Sequence, residues 1–211
     1  DMTVDATRME LLATRATGLI RRGERAILGI TGAPGAGKTT LAEALVRRLR
    51  GDGLAVAHVP MDGFHLADAT LTEQGTLGAK GAIETFDRDG YVALLRRLKS
   101  EMTHNIYAPG FERTIEQPVA GAITVQTDDV LVVTEGNYLL DESWADVREA
   151  LDEAWFLELD DDVRRERLVR RHVKFGKTEP DAQAWVDRID EPNARRIIAA
   201  RGSADLVVDG Y

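Results

Sequence analysis

The chain has 211 residues, 44% of them hydrophobic and 30% charged, a formal net charge of −9 and no cysteine. The acidic balance argues against sequence-independent nucleic-acid binding, the lack of cysteine excludes disulfides and thiolate metal sites, and no apolar run approaches the ~20 residues of a membrane span. We therefore expect one domain over residues 1–211, without a signal peptide, in the cytoplasm and with no nucleic-acid or membrane partner; the oligomeric state is left open, a homodimer included.

Apolar runs and helical spacings alternate along most of the chain. An amphipathic pattern predicts a first helix over residues 4–22. Apolar runs predict five strands, at residues 25–31, 54–61, 129–134, 154–159 and 204–208. Helical spacings predict five more helices, at residues 38–50, 87–100, 144–151, 161–175 and 181–201. This alternation predicts a parallel sheet with helices on both faces and a ligand site at the carboxyl ends of the strands.

Two long stretches show no clear period. Residues 66–86 contain three glycines and, near residues 69–74, a short predicted helix; residues 105–128 are also poorly periodic. We expect both to be mainly irregular, and long irregular segments in a compact domain are more often functional than idle.

The segment GAPGAGKT follows the first predicted strand and fits the pattern G-x-x-x-x-G-K-[ST]. Its glycines let backbone N–H groups converge on phosphate oxygens, and the following helix adds a favourable dipole. Lys38, expected to face solvent until a nucleotide binds, would reach the β- and γ-phosphates, and Thr39 would hold Mg²⁺. A chance glycine-rich turn is the alternative. The residues expected to bind the nucleotide are Gly32, Ala33, Pro34, Gly35, Ala36, Gly37, Lys38, Thr39 and Thr40.

A nucleoside triphosphate site narrows the function without deciding it. The chain has no N-K-x-D motif of the kind that reads the base in GTPases, and no L-S-G-G-Q-like signature of ABC-type ATPases. Small-molecule kinases and less specialised ATPases are left.

Two acidic residues follow predicted strands and would therefore lie in the ligand crevice. Glu135 ends the run VLVVT and would hold Mg²⁺ or its waters; a solvated charge is the alternative. Asp62 lies in HVPMDGFH, where a carboxylate would accept the proton of a hydroxyl that attacks the γ-phosphate; a simple Asp-Gly turn is the alternative. We expect Asp62 to be the catalytic base.

A basic stripe occupies one face of the predicted helix over residues 161–175. Its members are spaced at i, i+3, i+4 and i+7: Arg167, Arg170, Arg171 and Lys174. These cations would either close over the triphosphate and stabilise transition-state charge or form a solvated face. We expect a lid at about residues 161–180.

His65 and Arg113 are the candidates for substrate binding, although a lone loop histidine is more often incidental. The sequence shows no His/Asp/Glu cluster with metal-ligand spacing. The only metal expected is therefore Mg²⁺ carried with the nucleotide.

Five motifs, taken in order, resemble the phosphoribulokinase/uridine kinase/pantothenate kinase family from about residue 27 to residue 208. GAPGAGKT matches its nucleotide loop, and MDGFH resembles a strand motif whose aspartate is the base. LTEQGTLGAKGAIETFD is similar to a pantothenate kinase segment, VVTEGNYLL to the strand that ends in Glu-Gly, and RLVRRHVKFGKT to the arginine-bearing lid. By this resemblance the catalytic residues are Asp62, Lys38, Arg167 and Arg171.

The resemblance implies a three-layer P-loop NTPase fold of the α/β class, with a five-stranded parallel sheet, helices on both faces and a short helical lid. It also implies ATP, Mg²⁺ and phosphoryl transfer to a hydroxyl of a small metabolite: a sugar, polyol, sugar acid, pantothenate-like compound or nucleoside. APGFERTIEQPV and DEPNARRI look closest to a branch whose substrate is uncertain. The competing hypothesis is a P-loop ATPase or regulatory nucleotide-binding protein without an acceptor.

Overall fold

The computed structural model of the chain describes residues 6–210. Its strands are β1 (Ala26–Thr31), β2 (Val56–His58), β3 (Ile106–Glu112), β4 (Gln117–Val125), β5 (Leu131–Glu135), β6 (Glu153–Glu158) and β7 (Leu206–Asp209). Five of them form one parallel sheet in the order β2-β5-β1-β6-β7. The other two, β3 and β4, form a separate antiparallel hairpin.

The helices are α1 (Ala6–Thr17), α2 (Lys38–Gly51), α3 (Asp68–Glu73), α4 (Arg88–Ser100), α5 (Ala145–Ala150), α6 (Asp161–Lys174), α7 (Glu179–Trp185) and α8 (Glu191–Ala199). Within the described residues, none of these helices combines the length and the apolar character that a membrane span requires.

Two hydrophobic clusters cover the two faces of the parallel sheet. All six residues of β1 are buried, and because side chains alternate along a strand they supply both clusters. Ile27 packs with residues of α4 and α5, whereas Leu28 and Ile30 pack with residues of α1 and α2. The predicted α/β fold, a five-stranded parallel sheet between two helical layers, is confirmed.

The strand register brings the predicted site together at one edge of the sheet. Ile30 of β1 pairs with Glu135 of β5, and His58 of β2 pairs with Val133 of β5. Since the strands are parallel, the loops that follow β1, β2 and β5 leave the sheet side by side. These loops carry the phosphate loop, Asp62 and the end of β5.

Residues 105–128 are not irregular, contrary to the prediction, because β3 and β4 form a hairpin there. Ile106 and Ala108 of β3 are buried, but in β4 only Val125 is buried. The outer half of the hairpin therefore buries too few side chains to produce the apolar alternation by which a strand is predicted.

Three other predicted elements also differ from the structure. The helix predicted for residues 4–22 ends at Thr17, before Gly18, and residues 4 and 5 lie outside the described part. The strand predicted for residues 54–61 ends at His58, and Pro60, which has no N–H for a sheet, precedes a 3₁₀ turn. The helix predicted for residues 181–201 is interrupted by a π-helical turn, Val186–Asp190, just before Pro192. The remaining predicted elements are present, with bounds that differ by one or two residues.

Candidate active site

The phosphate loop forms a tight turn between β1 and α2. Gly35 has a φ of 83°, in the left-handed region that favours glycine. A Cβ at this position would lie 2.8 Å from the backbone oxygen of Arg164 and 2.9 Å from Cγ of Leu168, both in α6. Gly35 therefore allows both the turn and the close approach of α6 to the loop.

Lys38 lies within the phosphate loop and does not face solvent, so that part of the prediction is wrong. It is 8% exposed, and its Nζ donates hydrogen bonds to the carbonyl oxygens of Gly32 (2.9 Å) and Ala33 (3.3 Å). Burial lowers the pKa of Lys38 to about 8, and the negative charge of Glu135 opposes this shift. The loop carbonyls satisfy the ammonium group until a stronger acceptor, such as a phosphate oxygen, is available.

Glu135 is 4% exposed and so is not a solvated charge at a strand end. Its Oε1 accepts a hydrogen bond from Oγ1 of Thr39 at 3.0 Å. Burial raises the pKa of the Glu135 carboxyl to about 7; the negative charge of Asp62 raises it further, and Lys38 lowers it. Two oxygens that can bind a metal ion, one from a carboxylate and one from a hydroxyl, therefore lie in contact beside the phosphate loop.

This pair of oxygens suits Mg²⁺, which is usually bound by one or two protein groups together with phosphates and water. Nε2 of His58 lies 3.9 Å from Glu135 and is a buried nitrogen with no hydrogen-bond partner. Among residues 6–210, no group of three or more His, Cys, Asp or Glu residues is arranged to hold a metal ion. The hydroxyl of Thr39 and the carboxylate of Glu135 fit a metal that arrives with a nucleotide.

Asp62 lies in the 3₁₀ turn Met61–Phe64, shortly after β2. Its Oδ2 accepts a hydrogen bond from Nη2 of Arg113 at 2.9 Å, and Arg113 follows β3 at the tip of the hairpin. A Cβ on Gly63 would lie 2.2 Å from the carbonyl oxygen of Pro109. Gly63 therefore lets the hairpin pack on this turn and bring Arg113 to Asp62.

His65 is held within a column of aromatic rings. Its ring centroid lies 4.1 Å from that of Phe86 and 4.7 Å from that of Phe111. Its Nδ1 is 2.8 Å from the backbone oxygen of Asp62, and because a carbonyl oxygen only accepts, Nδ1 is the donor. Burial lowers the pKa of His65, so the neutral ring supports the Asp62 turn.

The basic stripe on α6 is divided between the cavity and the surface. Arg171 lines the cavity; burial lowers its pKa, and the charges of Arg113 and Asp62 also act on it. Arg170 pairs instead with Glu166 on the exposed face of α6. Arg167, the second expected lid arginine, lies outside the cavity lining.

Arg164 is a functional candidate that the sequence did not reveal. It is 1% exposed, and it donates to the carbonyl oxygen of Pro34 (3.2 Å) and to Glu191 of α8 (2.6 Å). It therefore joins α6 and α8 to the phosphate loop. The only available signal was its spacing of four from Leu168, which is also buried.

A cavity of about 530 Å³ collects most of the predicted site. The predicted residues that line it are Pro34, Gly35, Lys38, Thr39, Asp62, His65, Arg113, Glu135 and Arg171. Phosphate-binding groups, two candidate metal ligands and a carboxylate thus face one space. That arrangement suits a nucleoside triphosphate with a small second molecule beside it.

Comparison with known proteins defines the family. A family model described as "Methylmalonyl Co-A mutase-associated GTPase MeaB" matches residues 5–100, which include the phosphate loop. The "Putative uridine kinase C227.14" of Schizosaccharomyces pombe is 31% identical over 214 residues, covering 97% of this chain and 91% of that protein. The "ATP-dependent kinase-like protein notR'" of Aspergillus versicolor is 33% identical over 162 residues, covering 71% of this chain and 94% of that protein.

A crystal structure is also similar over nearly the whole chain. The "putative fructose transport system kinase" of Silicibacter sp. TM1040 has 36% sequence identity and a TM-score of 0.88, covering 95% of this chain and 98% of that one. The fold is that of the P-loop kinases. The chain belongs to the family of P-loop small-molecule kinases that includes the uridine kinases.

Proposed function

We propose that this protein transfers the γ-phosphoryl group of ATP to a hydroxyl group of a small metabolite. The observation that carries this proposal is that Lys38 of the phosphate loop and the carboxylate of Asp62 line the same cavity. A carboxylate in this cavity can accept a proton from the attacking nucleophile, which is the acceptor hydroxyl in a kinase and water in a hydrolase. The names of the relatives, a "Putative uridine kinase", a "putative fructose transport system kinase" and an "ATP-dependent kinase-like protein", support the same reaction.

The triphosphate would lie along the loop from Gly32 to Thr40. Phosphate oxygens would replace the carbonyls of Gly32 and Ala33 as acceptors for Nζ of Lys38. This exchange favours binding because a charge-assisted hydrogen bond is stronger than one to a neutral carbonyl. The start of α2 directly after the loop adds the positive end of a helix dipole.

Thr39 and Glu135 would hold Mg²⁺. Bound there, the ion would neutralise charge on the phosphates. A cation also favours the ionised form of Glu135, whose pKa is raised to about 7 by burial. These two residues already share a hydrogen bond, so only a small rearrangement would be needed.

Asp62 would orient the acceptor hydroxyl and accept its proton as the oxygen attacks the γ-phosphorus. The new bond joins the acceptor oxygen to phosphorus, the bond between the γ-phosphorus and its bridging oxygen breaks, and ADP leaves. Lys38 and Arg171 would stabilise the charge that develops on the transferred group. We also assign Arg167 a supporting role in stabilising this charge. In this proposal the lid over residues 161–180 moves and brings Arg167 to the phosphates.

His65 and Arg113 would contact the acceptor, since both line the cavity next to Asp62.

Acceptor-dependent turnover tests the whole proposal. ATP consumption is measured with and without a panel of sugars, polyols, sugar acids, pantothenate and nucleosides. The proposal predicts that at least one acceptor stimulates turnover, whereas a rate independent of every acceptor would favour a P-loop ATPase or a regulatory nucleotide-binding protein.

A further inference from the structure

Arg113 holds Asp62 with only part of its hydrogen-bonding capacity. An arginine side chain has five N–H donors in a rigid fork, and within residues 6–210 Arg113 uses Nη2 for Asp62 and forms no second hydrogen bond. The side chain of Arg113 is 52% exposed, and that of Asp62 is 29% exposed. The remaining donors of Arg113 are therefore available to a molecule in the cavity.

The guanidinium group is also held in place from behind. It lies over the ring of Phe111, 5.0 Å from the centroid, and Phe111 packs against His65. Because His65 donates to the backbone of Asp62, the carboxylate, the ring column and the guanidinium form one connected unit. A fork fixed in this way is suited to bidentate binding of a carboxylate or phosphate, and less suited to a hydroxyl group.

Two further cations stand near this unit. Nζ of Lys80 lies 5.6 Å from the centroid of the same Phe111 ring and pairs with Asp68 at 2.6 Å. Arg171 lines the cavity close enough for the charge of Arg113 to act on it, and within the described residues it forms no ion pair. Asp68 neutralises Lys80, and the carboxylates of Asp190, Asp62 and Glu116 act on Arg171, so the extra positive charge that this part of the cavity offers a ligand comes mainly from Arg171.

The Asp62–Arg113 pair also bears on which acceptors bind well. Oδ2 of Asp62 already accepts a hydrogen bond from Arg113, so an acceptor hydroxyl either shares Oδ2 or binds Oδ1, beside the remaining N–H donors of Arg113. A neutral acceptor leaves those donors to water, whereas an acceptor with its own anionic group engages them in charge-assisted hydrogen bonds.

We infer that the acceptor carries a carboxylate or phosphate group that binds Arg113 while its hydroxyl binds Asp62. This inference rests on the proposed kinase function. Since one guanidinium group spans the gap, the anionic group and the reacting hydroxyl lie close together in the acceptor. The substrate class is thus compact hydroxy acids or sugar phosphates, and neutral nucleosides and sugars are disfavoured.

Matched acceptor pairs that differ in charge test the inference. The pairs are glycerate with glycerol, gluconate with sorbitol, pantothenate with pantothenol, and fructose 6-phosphate with fructose, each with ATP and Mg²⁺. We expect kcat/KM to be at least about tenfold higher for the anionic member of the pair that reacts. Preference in a carboxylate pair or in the phosphate pair identifies which anion is recognised. An equal or higher kcat/KM for the neutral member overturns the inference.

Variants of Arg113 separate substrate recognition from a structural role. In Arg113→Met, kcat/KM for the anionic acceptor should fall by about 100-fold, and Arg113→Lys should restore only part of it, because lysine lacks the planar fork. Because Arg113 also holds Asp62, the neutral acceptor should lose some activity too, but much less than the anionic one, so the ratio of the two kcat/KM values falls. The surface variant Arg97→Met is the control and should leave the ratio unchanged. An equal loss for both acceptors in Arg113→Met would contradict direct anion recognition.

Equilibrium binding distinguishes failure of this inference from failure of the proposed function. The same pairs are titrated calorimetrically into the protein with Mg²⁺ and a non-hydrolysable ATP analogue. No binding of the analogue would remove the proposed function. If the analogue binds normally and no anionic compound binds more tightly than its neutral partner, only the inference of an anionic acceptor is overturned.

Discussion

The phosphate loop takes its internal contacts from one short segment, whereas the acceptor side of the cavity is assembled from segments far apart in the chain. Lys38 donates to carbonyls five and six residues before it. Asp62 is paired with Arg113, 51 positions away, through a hairpin that packs on the Asp62 turn. If the proposed function holds, substitutions in the hairpin would change acceptor selectivity without disturbing the nucleotide site.

The two sides also differ in burial. Lys38 and Glu135 are at most 8% exposed, whereas Asp62 and Arg113 remain accessible to solvent. Changes on the phosphate side should therefore alter nucleotide binding together with rate. Changes on the acceptor side should alter transfer and selectivity while nucleotide affinity is kept.

Replacing Asp62 should give the largest effect. Asp62→Asn keeps the shape but removes the proton acceptor, so single-turnover transfer should slow by roughly 10²- to 10⁴-fold at saturating ATP and acceptor. Affinity for a non-hydrolysable ATP analogue should change little. Asp89→Asn, which alters an exposed carboxylate on α4, should keep the wild-type rate. Wild-type transfer by both Asp62→Asn and Asp62→Ala would reduce Asp62 to a turn residue.

Replacing Lys38 should impair both nucleotide binding and phosphoryl transfer. Lys38→Met keeps most of the side-chain length but removes the charge, and transfer should fall by roughly 10²- to 10³-fold, the range for loss of one charge-stabilising donor. Unlike the Asp62 variant, it should also bind the ATP analogue more weakly. Arg47→Met removes a cation from the exposed face of the same helix and serves as the control. Near-normal turnover by Lys38→Met, with circular dichroism unchanged, would place the reaction elsewhere.

Within the lid, replacing Arg171 should lower kcat, whereas replacing Arg170 should not. Arg171→Ala should lower kcat by roughly 10- to 150-fold, because a hydrogen bond to a charged group contributes about 1.5–3 kcal/mol, and it should affect the Kd for ATP less. Arg170→Ala removes a surface pair with Glu166 and should change kcat little. Wild-type kcat in both variants would mean that the stripe takes no part in transfer. Arg167→Ala tests the supporting role of Arg167: kcat should fall if movement of the lid brings Arg167 to the phosphates, and unchanged kcat would contradict that role.

Nucleotide affinity should depend on pH through Lys38. Burial lowers the pKa of Lys38 to about 8, and bound phosphates would raise it. Binding is therefore strongest below about pH 8 and weakens as pH rises through the pKa of the complex, by up to about tenfold per pH unit. The Kd of the ATP analogue, measured from about pH 7 to about pH 10, checks this dependence. Lys38→Met should not show this weakening above about pH 8, and a wild-type Kd that stays constant from about pH 8 to about pH 10 would contradict it.

The sequence predicted what is encoded locally. The phosphate loop is one contiguous motif, and the five parallel strands follow from apolar runs buried on both faces, as in β1 and β5. The end of each run then placed Asp62 and Glu135 at the same edge of the sheet. Alternation of strands and helices was sufficient for the fold class.

The remaining features depend on contacts between distant segments. The outer half of the β3–β4 hairpin is mostly exposed, so its pattern resembles that of a loop. The pairing of Asp62 with Arg113 depends on how the hairpin packs, and the hydrophobic periodicity of the sequence does not predict that packing. In the run DDVRRERLVRR, only the approach of the phosphate loop and α8 decides that Arg164 is the buried arginine.

Transfer of labelled phosphate tests the central claim most directly. ATP carrying ¹⁸O in its terminal phosphoryl group is incubated with the protein, Mg²⁺ and each acceptor, and the products are analysed by mass spectrometry. We predict a phosphorylated acceptor that carries all the transferred label, with its own unlabelled oxygen as the bridge to phosphorus, and little labelled inorganic phosphate. Labelled inorganic phosphate formed at the same rate with and without every acceptor, and no labelled acceptor, would contradict the account.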